Sequence, residues 1–490
     1  MRILALKWSY VLLLLVVVIF VVFRDYFSLD EPDLFWELKT GFGPGSYGSY
    51  PRFLSEGRPL YGLLVLAGFK LVATAANLKY LRVLSVLLTF CFCFLIFNYL
   101  IWEGVSEPVS FIASLLIFCL PGFSEFICWA ECFPHHIPSM LSFCGGILTQ
   151  RGLEKHLGRE GVGRMKSTLF LLAAVILEIT ALFFYQTLAL AFLMPAFFTL
   201  LIRQDVTLKS KRVFLSYFCF VFFLSLGLYY QFFQGLIENA GLSLASRGKL
   251  GPEIWPKICW FFLNLIEVSK FHLLLFKSTG VQYLFTALTV MLFCRDLFRK
   301  KFADLLLLLI FSILLLLPQL LIKENWMASR NYMLVGAIWV FYLVNRVFEI
   351  LPKANLLAVG CTGLVFSIAM LCNMHFAWVS PESKDYTFMQ RFVNKLPEIG
   401  SNDLVVEAIP PKWNLHSDKS AYLFYSDEWN YSIFITPWAL QNGLKLIYSY
   451  KYPLVAVKTI ESHLRIKILK NASEFSPEQN GRLIHLDLNY

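Results

Sequence analysis

Long apolar runs dominate this sequence, and they restrict its fold more than any other feature. A run of about 20 apolar residues is long enough to cross a bilayer as a helix, and such runs recur along most of the chain. Of the 490 residues, 58% are hydrophobic and 16% are charged, whereas soluble domains carry about 25% charged residues. Because no water-soluble fold could bury so much apolar surface, the sequence predicts a polytopic α-helical membrane protein.

Eleven apolar runs predict eleven membrane-crossing helices. The first run has a basic start and no small-residue cleavage site after it, so we interpret it as a retained span rather than a signal peptide. Two more apolar segments, residues 59–76 and 254–277, are interpreted as interfacial helices, because an extra span would reverse the orientation of everything that follows. The predicted spans lie near residues 8–23, 81–101, 109–128, 137–149, 168–184, 186–202, 213–232, 279–294, 304–322, 332–350 and 355–377.

The basic residues predict how the chain is oriented. The net charge is +10, and the Lys and Arg clusters all fall on one side of the predicted spans, which the positive-inside rule assigns to the cytoplasm. The amino terminus is then cytoplasmic and the carboxyl-terminal region lies on the outer side. Because no extracellular disulfide framework is evident, we expect a bacterial inner membrane, with that region in the periplasm. Short clusters of this kind do not indicate nucleic-acid binding.

Most of the 11 cysteines lie in apolar runs, without the spacing of a disulfide or zinc framework.

From about residue 378 the composition becomes more polar. A helix is predicted around Tyr386–Leu396, and five short alternating segments predict strands: DLVVEAI, YSIFITPWAL, GLKLIYSY, LVAVKTI and LRIKIL. We therefore predict two domains, a transmembrane domain of residues 1–377 that includes an outer loop at 24–80, and a small extracytoplasmic α/β domain of residues 378–490.

The outer loop at 24–80 carries the residues best suited to chemistry. Asp30, Glu31 and Asp33 lie within four positions of one another. A partly desolvated carboxylate can act as a general base, and neighbouring carboxylates can hold a divalent metal such as Mg²⁺ or Mn²⁺. A solvated acidic turn is the simpler alternative. The loop ends in Gly57-Arg58-Pro59-Leu60, where the Arg58 guanidinium is suited to a phosphate.

Other predicted outer loops supply further candidates. Arg82, Lys323 and Arg330 are alternative phosphate ligands, although basic side chains at this depth also simply snorkel to the interface. His135 and His136 are candidate substrate contacts. Adjacent side chains diverge, and no third ligand follows at a useful spacing, so we do not predict a zinc site there.

The order of these features resembles the GT-C glycosyltransferases. The shared features are the acidic pair Asp30–Glu31, the Gly57–Leu60 run, Leu81–Arg82 at the start of the second span, and Tyr185–Gln186 at an outer span boundary. The sequence most resembles the bacterial O-antigen glucosyltransferases, which modify surface polysaccharide such as lipopolysaccharide. An Asp-Glu pair also occurs in protein O-mannosyltransferases, so glycan, lipid and protein acceptors all stay open.

The resemblance implies a reaction and assigns roles to residues. Asp30 or Glu31 would take the proton from an acceptor hydroxyl, which attacks the anomeric carbon of a polyprenyl-phosphate hexose and inverts it. Asp30 is the preferred base, with Glu31 as its partner or a metal ligand. Basic residues would stabilise the leaving phosphate, and Asp33, Tyr185, Gln186, His135 and His136 would contact substrate.

Two other functions compete with this hypothesis. A lipid-linked sugar flippase would bind the same donor without transfer chemistry, but transporters distribute polar residues through their spans. A polysaccharide polymerase or ligase typically has a large late outer loop, and the loops after residue 278 are short until the terminal region.

Overall fold

The described part of the chain is helical up to residue 393 and ends in a small parallel sheet. The computed structural model describes residues 16–17, 19, 24–26, 28, 31–41, 49–72, 74–157, 162–203, 208–245, 254–271, 279–321, 332–351, 356–399, 404–409, 437–453, 455, 457–468 and 483–487.

The described helices before the terminal region number seventeen. They are α1 Glu31–Thr40, α2 Tyr50–Ser55, α3 Pro59–Val72, α4 Leu78–Trp102, α5 Glu107–Phe118, α6 Pro121–Cys128, α7 His136–Leu157, α8 Val162–Phe184, α9 Gln186–Ala189, α10 Met194–Ile202, α11 Leu208–Asn239, α12 Ile254–Phe271, α13 Thr279–Phe298, α14 Phe302–Leu315, α15 Leu317–Leu321, α16 Met333–Ile350 and α17 Leu356–Asn373. Short 3₁₀ turns connect some of them, at Ala75–Asn77, Ala130–His135 and Leu190–Leu193.

Proline breaks three of the apolar runs that the sequence predicts as single spans. A proline ring removes a backbone donor and clashes with the preceding turn, so a helix ends or bends before it. Pro121 separates α5 from α6, which are bent by 55° relative to each other. Pro195 follows the 3₁₀ turn that divides α9 from α10, and Pro318 lies at the start of α15.

Several of the described helices are suited to a bilayer. Four of them are long and apolar enough to cross a membrane, or five if the bent pair α5 and α6 is one span. The protein is therefore a membrane protein, and the count of eleven spans stays a prediction. Within residues 59–76 and 254–277, the described residues Pro59–Val72 and Ile254–Phe271 form helices α3 and α12. Residues 73 and 272–277 lie outside the described part of the chain, and the interfacial position of both segments stays a prediction.

Helices α7 and α8 pack closely in the middle of the bundle. Ser142 Oγ of α7 donates a hydrogen bond of 2.5 Å to Glu178 Oε2 of α8, and both side chains are fully buried. One turn further along α7, Gly146 lies against the 3₁₀ turn at Leu190–Leu193, where an added Cβ would collide with the carbonyl oxygen of Phe192.

We expect Gly146→Ala to destabilise the protein by about 1–3 kcal/mol, because the extra carbon overpacks this crossing. The thermal unfolding temperature in detergent measures the effect. Gly227→Ala is the matched control, since its Cβ would meet open space on α11, and alanine there raises helix propensity. An equal loss of stability in both variants would contradict the close packing of α7 against this turn.

Buried ion pairs connect helices at the end of the bundle opposite to residues 128–136. Arg346 of α16 is fully buried and pairs with Asp296 of α13, Asp304 of α14 and Glu349 of its own helix. Arg203 beyond α10 is partly exposed and pairs with the buried Glu103 beyond α4, at 3.2 Å. These contacts join helix ends that the predicted alternation of spans places on one side of the membrane.

The terminal region contains helices α18 Ser380–Val393, α19 Pro437–Lys451 and α20 Val457–His463, and strands β1 Leu404–Ile409, β2 Leu464–Ile468 and β3 Leu483–Asp487. The strands form a parallel sheet in the order β2-β1-β3, with Leu404 opposite Leu464 and Val405 opposite Leu483. The predicted helix near 386–396 and the strands DLVVEAI and LRIKIL are confirmed.

Two predicted strands of this region are wrong. GLKLIYSY lies inside α19, and LVAVKTI overlaps α20. The reason is that Leu440, Leu444, Ile447 and Tyr448 are buried together on α19, which is a helical spacing of three and four residues. YSIFITPWAL is helical from Pro437 onward, and its earlier residues lie outside the described part of the chain.

The terminal region shares one apolar core with the outer loop. A helical turn at Met374–Val379 joins α17 directly to α18. Met389 and Val393 of α18 and Leu444 of α19 are buried in the same cluster as Phe35 of α1 and Phe69 of α3. The division into domains at residues 377 and 378 stays a prediction, and the helix that crosses it places α18 beside the acidic residues of the outer loop.

Candidate functional site

Glu31 occupies the centre of a buried polar network at the amino end of α1. Its Oε2 atom accepts hydrogen bonds from Arg82 Nη2 at 2.7 Å and from the backbone N–H of Ser28 at 2.8 Å. Its Oε1 atom accepts the backbone N–H of Ala130 at 2.6 Å. The side chain has no exposed surface, so both carboxylate oxygens are used within the protein.

Arg82 connects α4 to the two chain segments around it. Its Nε donates to the Cys128 carbonyl at 3.0 Å, and its Nη2 donates to the Tyr26 carbonyl at 3.1 Å. The guanidinium lies 3.6 Å from the centre of the Tyr26 ring, and the Tyr26 hydroxyl donates to the same Cys128 carbonyl. Arg82 is also fully buried, and the buried charge is compensated by Glu31.

The structure places the predicted acids and cations in different surroundings. Glu31 and Arg82 pair with each other and bind the backbone of Ser28, Tyr26 and Ala130. Asp30, Lys323 and Arg330 lie outside the described residues. Asp33 lies on the other side of α1, where its Oδ1 accepts a hydrogen bond from Asn442 of α19. The predicted roles of all these residues stay predictions.

Arg58 lies in a second part of the site, lined by aromatic rings. Its guanidinium stacks 4.3 Å from the centre of the Tyr185 ring, and Nη1 lies 3.4 Å from Glu56 Oε2. The His135 ring packs 4.8 Å from Tyr185 and 4.9 Å from Tyr61, measured between ring centres. The structure describes two of the predicted phosphate ligands, Arg58 and Arg82. A quarter of the Arg58 side chain is exposed to solvent, whereas Arg82 is fully buried.

Gln186 fixes the backbone just before Arg58. Its Nε2 donates to the Gly57 carbonyl at 2.6 Å and to the Tyr229 hydroxyl at 2.7 Å. Gly57 has a φ of 79°, and an added Cβ would come within 2.6 Å of Gln186 Nε2 and of the Tyr229 hydroxyl. A glycine is needed here for both reasons. Gln186 therefore supports the turn that presents Arg58.

The two histidines point into different surroundings. His135 Nδ1 lies 3.0 Å from the Cys132 carbonyl. The His136 ring is fully buried and stacks on Phe123, and neither of its nitrogens has a hydrogen-bond partner among the described residues. Within the described part of the chain, no group of three His, Cys, Asp or Glu side chains is placed to hold a metal ion.

The segment from Cys128 to His136 joins the two parts of the site. The Ala130 N–H binds Glu31, the Glu131 carbonyl accepts the Tyr61 hydroxyl at 3.0 Å, and His135 packs against Tyr61 and Tyr185. Four segments that are far apart in sequence therefore meet at the end of the bundle where α6 and α8 finish and α4 and α9 begin.

Some residues of this site were not predicted from the sequence. Ser28 and Glu382 belong to the acidic part, and Tyr61 and Tyr229 to the part around Arg58. Of these four residues, Tyr61 could have been predicted, because it directly follows the Gly57–Leu60 motif in the sequence. Ser28 and Glu382 are hydrogen bonded across 354 positions, so no local pattern connects them.

Comparison with known proteins gives similarity in structure but no match in sequence. The sequence matches no protein-family model, and no curated protein matches it. A crystal structure of an oligosaccharyltransferase from Archaeoglobus fulgidus, tethered to an acceptor peptide, aligns with a TM-score of 0.39 and 12% sequence identity. The alignment covers 85% of this chain and 63% of the archaeal one, so this chain spans less than two thirds of that protein.

Proposed function

We propose that the protein is an inverting glycosyltransferase of the GT-C type. It moves a hexose from a polyprenyl-phosphate donor to an acceptor hydroxyl at the periplasmic face of a bacterial inner membrane. The observation that carries the proposal is the convergence of predicted site residues from four distant segments, with Glu31, Arg58, His135 and Tyr185 at one end of the helical bundle.

Each part of the site has a separate task in this proposal. Asp30 takes the proton from the acceptor hydroxyl as that oxygen attacks the anomeric carbon. Glu31 and Arg82 hold the backbone on either side of Asp30. Negative charge grows on the leaving polyprenyl phosphate, and the partly exposed Arg58 guanidinium stabilises it in the transition state. Stacking on Tyr185 keeps that guanidinium in place.

The roles proposed for these residues do not require a divalent metal ion. Both oxygens of Glu31 accept N–H hydrogen bonds, one of them from the Arg82 guanidinium, so in this proposal the carboxylate binds protein donors rather than a metal ion. A Mg²⁺ or Mn²⁺ ion at Asp30 stays an alternative from the sequence. Surface polysaccharide, as in O-antigen modification, is the acceptor class that the sequence resemblance favours.

Arg58→Gln tests the phosphate role. We expect the release of polyprenyl phosphate from a polyprenyl-phosphate hexose to fall by about 10²–10³-fold, the usual effect of losing one transition-state donor. The assay follows the labelled lipid in reconstituted vesicles. Arg52→Gln is the matched control, because Arg52 is similarly exposed and also binds Glu56 but does not stack on Tyr185. Equal activity of both variants would remove Arg58 from the reaction.

A further inference from the structure

Glu382 connects the terminal region to the loop that carries Asp30. It lies in the first turn of α18, and its buried Oε2 accepts a hydrogen bond of 3.2 Å from Ser28 Oγ. The backbone N–H of the same serine donates to Glu31 at 2.8 Å. Two carboxyl groups from distant parts of the chain therefore hold Ser28 from both sides, two positions before Asp30.

The charges around Glu382 do not balance if both carboxyls are ionised. Arg82 is the cation beside them, and of the two carboxyls Glu31 is the one that receives its hydrogen bond. Burial, and then the negative charge of Glu31, raise the pKa of Glu382 well above its usual value of 4.5. The other titratable groups facing it are Tyr26 in the loop, Cys128 at the end of α6 and Asp385 on its own helix.

We propose that Glu382 is a positioning residue for the general base, acting through Ser28 on the backbone that carries Asp30, and that it acts in its protonated form. This inference rests on the proposed function. A neutral Glu382 accepts the Ser28 hydroxyl without placing a second buried negative charge beside Glu31. Ionisation adds that charge, which pushes α18 away from the loop and displaces the base.

The sign of the pH dependence follows from this arrangement. A buried carboxyl that keeps its proton in the folded state binds protons more tightly than in the unfolded state, so stability falls as pH rises above the ordinary carboxyl value. Glutamine at position 382 has the same shape and cannot ionise. The wild type is therefore expected to lose both stability and turnover on the alkaline side, and Glu382→Gln is expected to lose less of each.

The test measures two quantities on the full-length protein in lipid vesicles or detergent, from pH 5 to 9. We expect the unfolding temperature of Glu382→Gln to rise relative to wild type as pH increases, and the alkaline fall in kcat for polyprenyl phosphate release to move to higher pH. Glu382→Ala is expected to lower kcat by about tenfold at every pH, because the Ser28 contact is lost, with the donor KM unchanged. Glu398→Gln, an exposed carboxyl of the same region, is the control.

The outcomes separate this inference from the proposed function. Wild-type turnover in Glu382→Ala would overturn the positioning role and leave the glycosyltransferase proposal standing. The unfolding temperatures need no substrate, so parallel curves for wild type and Glu382→Gln would overturn the protonated form of Glu382 independently. No release of polyprenyl phosphate by wild type would overturn the proposed function itself.

Discussion

Asp30→Asn is expected to reduce glycosyl transfer by about 10²–10⁴-fold, the usual contribution of a general base. Asparagine has nearly the same shape but cannot take a proton from the acceptor hydroxyl. The neighbours of Asp30 in the chain are firmly held, since Ser28 and Glu31 are hydrogen bonded to each other and Glu31 is bound to Arg82 and Ala130. The loss is therefore expected in kcat, with the donor KM little changed, and steady-state kinetics in reconstituted vesicles separates the two.

Asp25→Asn provides the matched control for this variant. Asp25 is an exposed carboxylate five positions earlier in the same loop, and its substitution changes the local charge by the same amount. We expect near wild-type transfer from it. Equal activity in both variants would place the base elsewhere, and an equal loss in both would mean that the charge of the loop, rather than a proton acceptor at residue 30, is what the reaction needs.

Arg82→Ala is expected to have the largest effect on stability, about 3–5 kcal/mol. Removing one partner of a buried ion pair leaves the other charge uncompensated, and Glu31 is fully buried. The substitution also leaves the Tyr26 and Cys128 carbonyls without the Arg82 donors. Thermal and denaturant unfolding in detergent measure this change.

A double-mutant cycle separates the ion pair from the rest of the network. Glu31→Ala combined with Arg82→Ala removes both charges and is expected to recover part of the stability lost in Arg82→Ala. Arg52→Ala is a control, because Arg52 of α2 and Glu56 just after this helix form a partly exposed pair, and such pairs contribute at most about 1 kcal/mol. Additive losses in the double variant would contradict a direct coupling of Glu31 to Arg82.

Much of the bundle could be predicted from the sequence because hydrophobic length is a strong signal. The apolar runs near 81–101, 168–184, 213–232 and 332–350 correspond to helices α4, α8, α11 and α16. Breaks inside the runs were less predictable. Pro121 lies within an otherwise continuous apolar run, and whether a proline bends a helix or ends it depends on the neighbours that satisfy the freed carbonyls.

The terminal region was harder to predict, because short apolar segments support both strand and helix. GLKLIYSY alternates well enough for a strand, yet Leu444 and Tyr448 are buried one turn apart on α19 against α1 and α18. Contacts with the outer loop decided the outcome, and these partners lie about 400 positions away in the chain, as Asn442 and Asp33 do.

The sequence indicated several residues of the candidate site, but it did not indicate which of them contact one another. Arg58, Tyr185 and Gln186 were selected as separate candidates, and the structure brings them together around Gly57. The pairing of Glu31 with Arg82 was not predicted, because a sequence shows a charge without its partner. Burial of both side chains is a property of the packed bundle, which a local sequence pattern does not reveal, and the predicted roles of these two residues in the reaction stay predictions.

The central claim is that this membrane protein breaks the bond between a hexose and polyprenyl phosphate. Vesicles containing the protein and a donor labelled in both the sugar and the lipid allow release and transport to be measured together. The account predicts that wild type frees polyprenyl phosphate and transfers the sugar to a hydroxyl acceptor or to water, with inversion at the anomeric carbon, and that Asp30→Asn does not. Movement of the intact donor across the bilayer, with both labels still joined, would contradict the account and establish the flippase alternative.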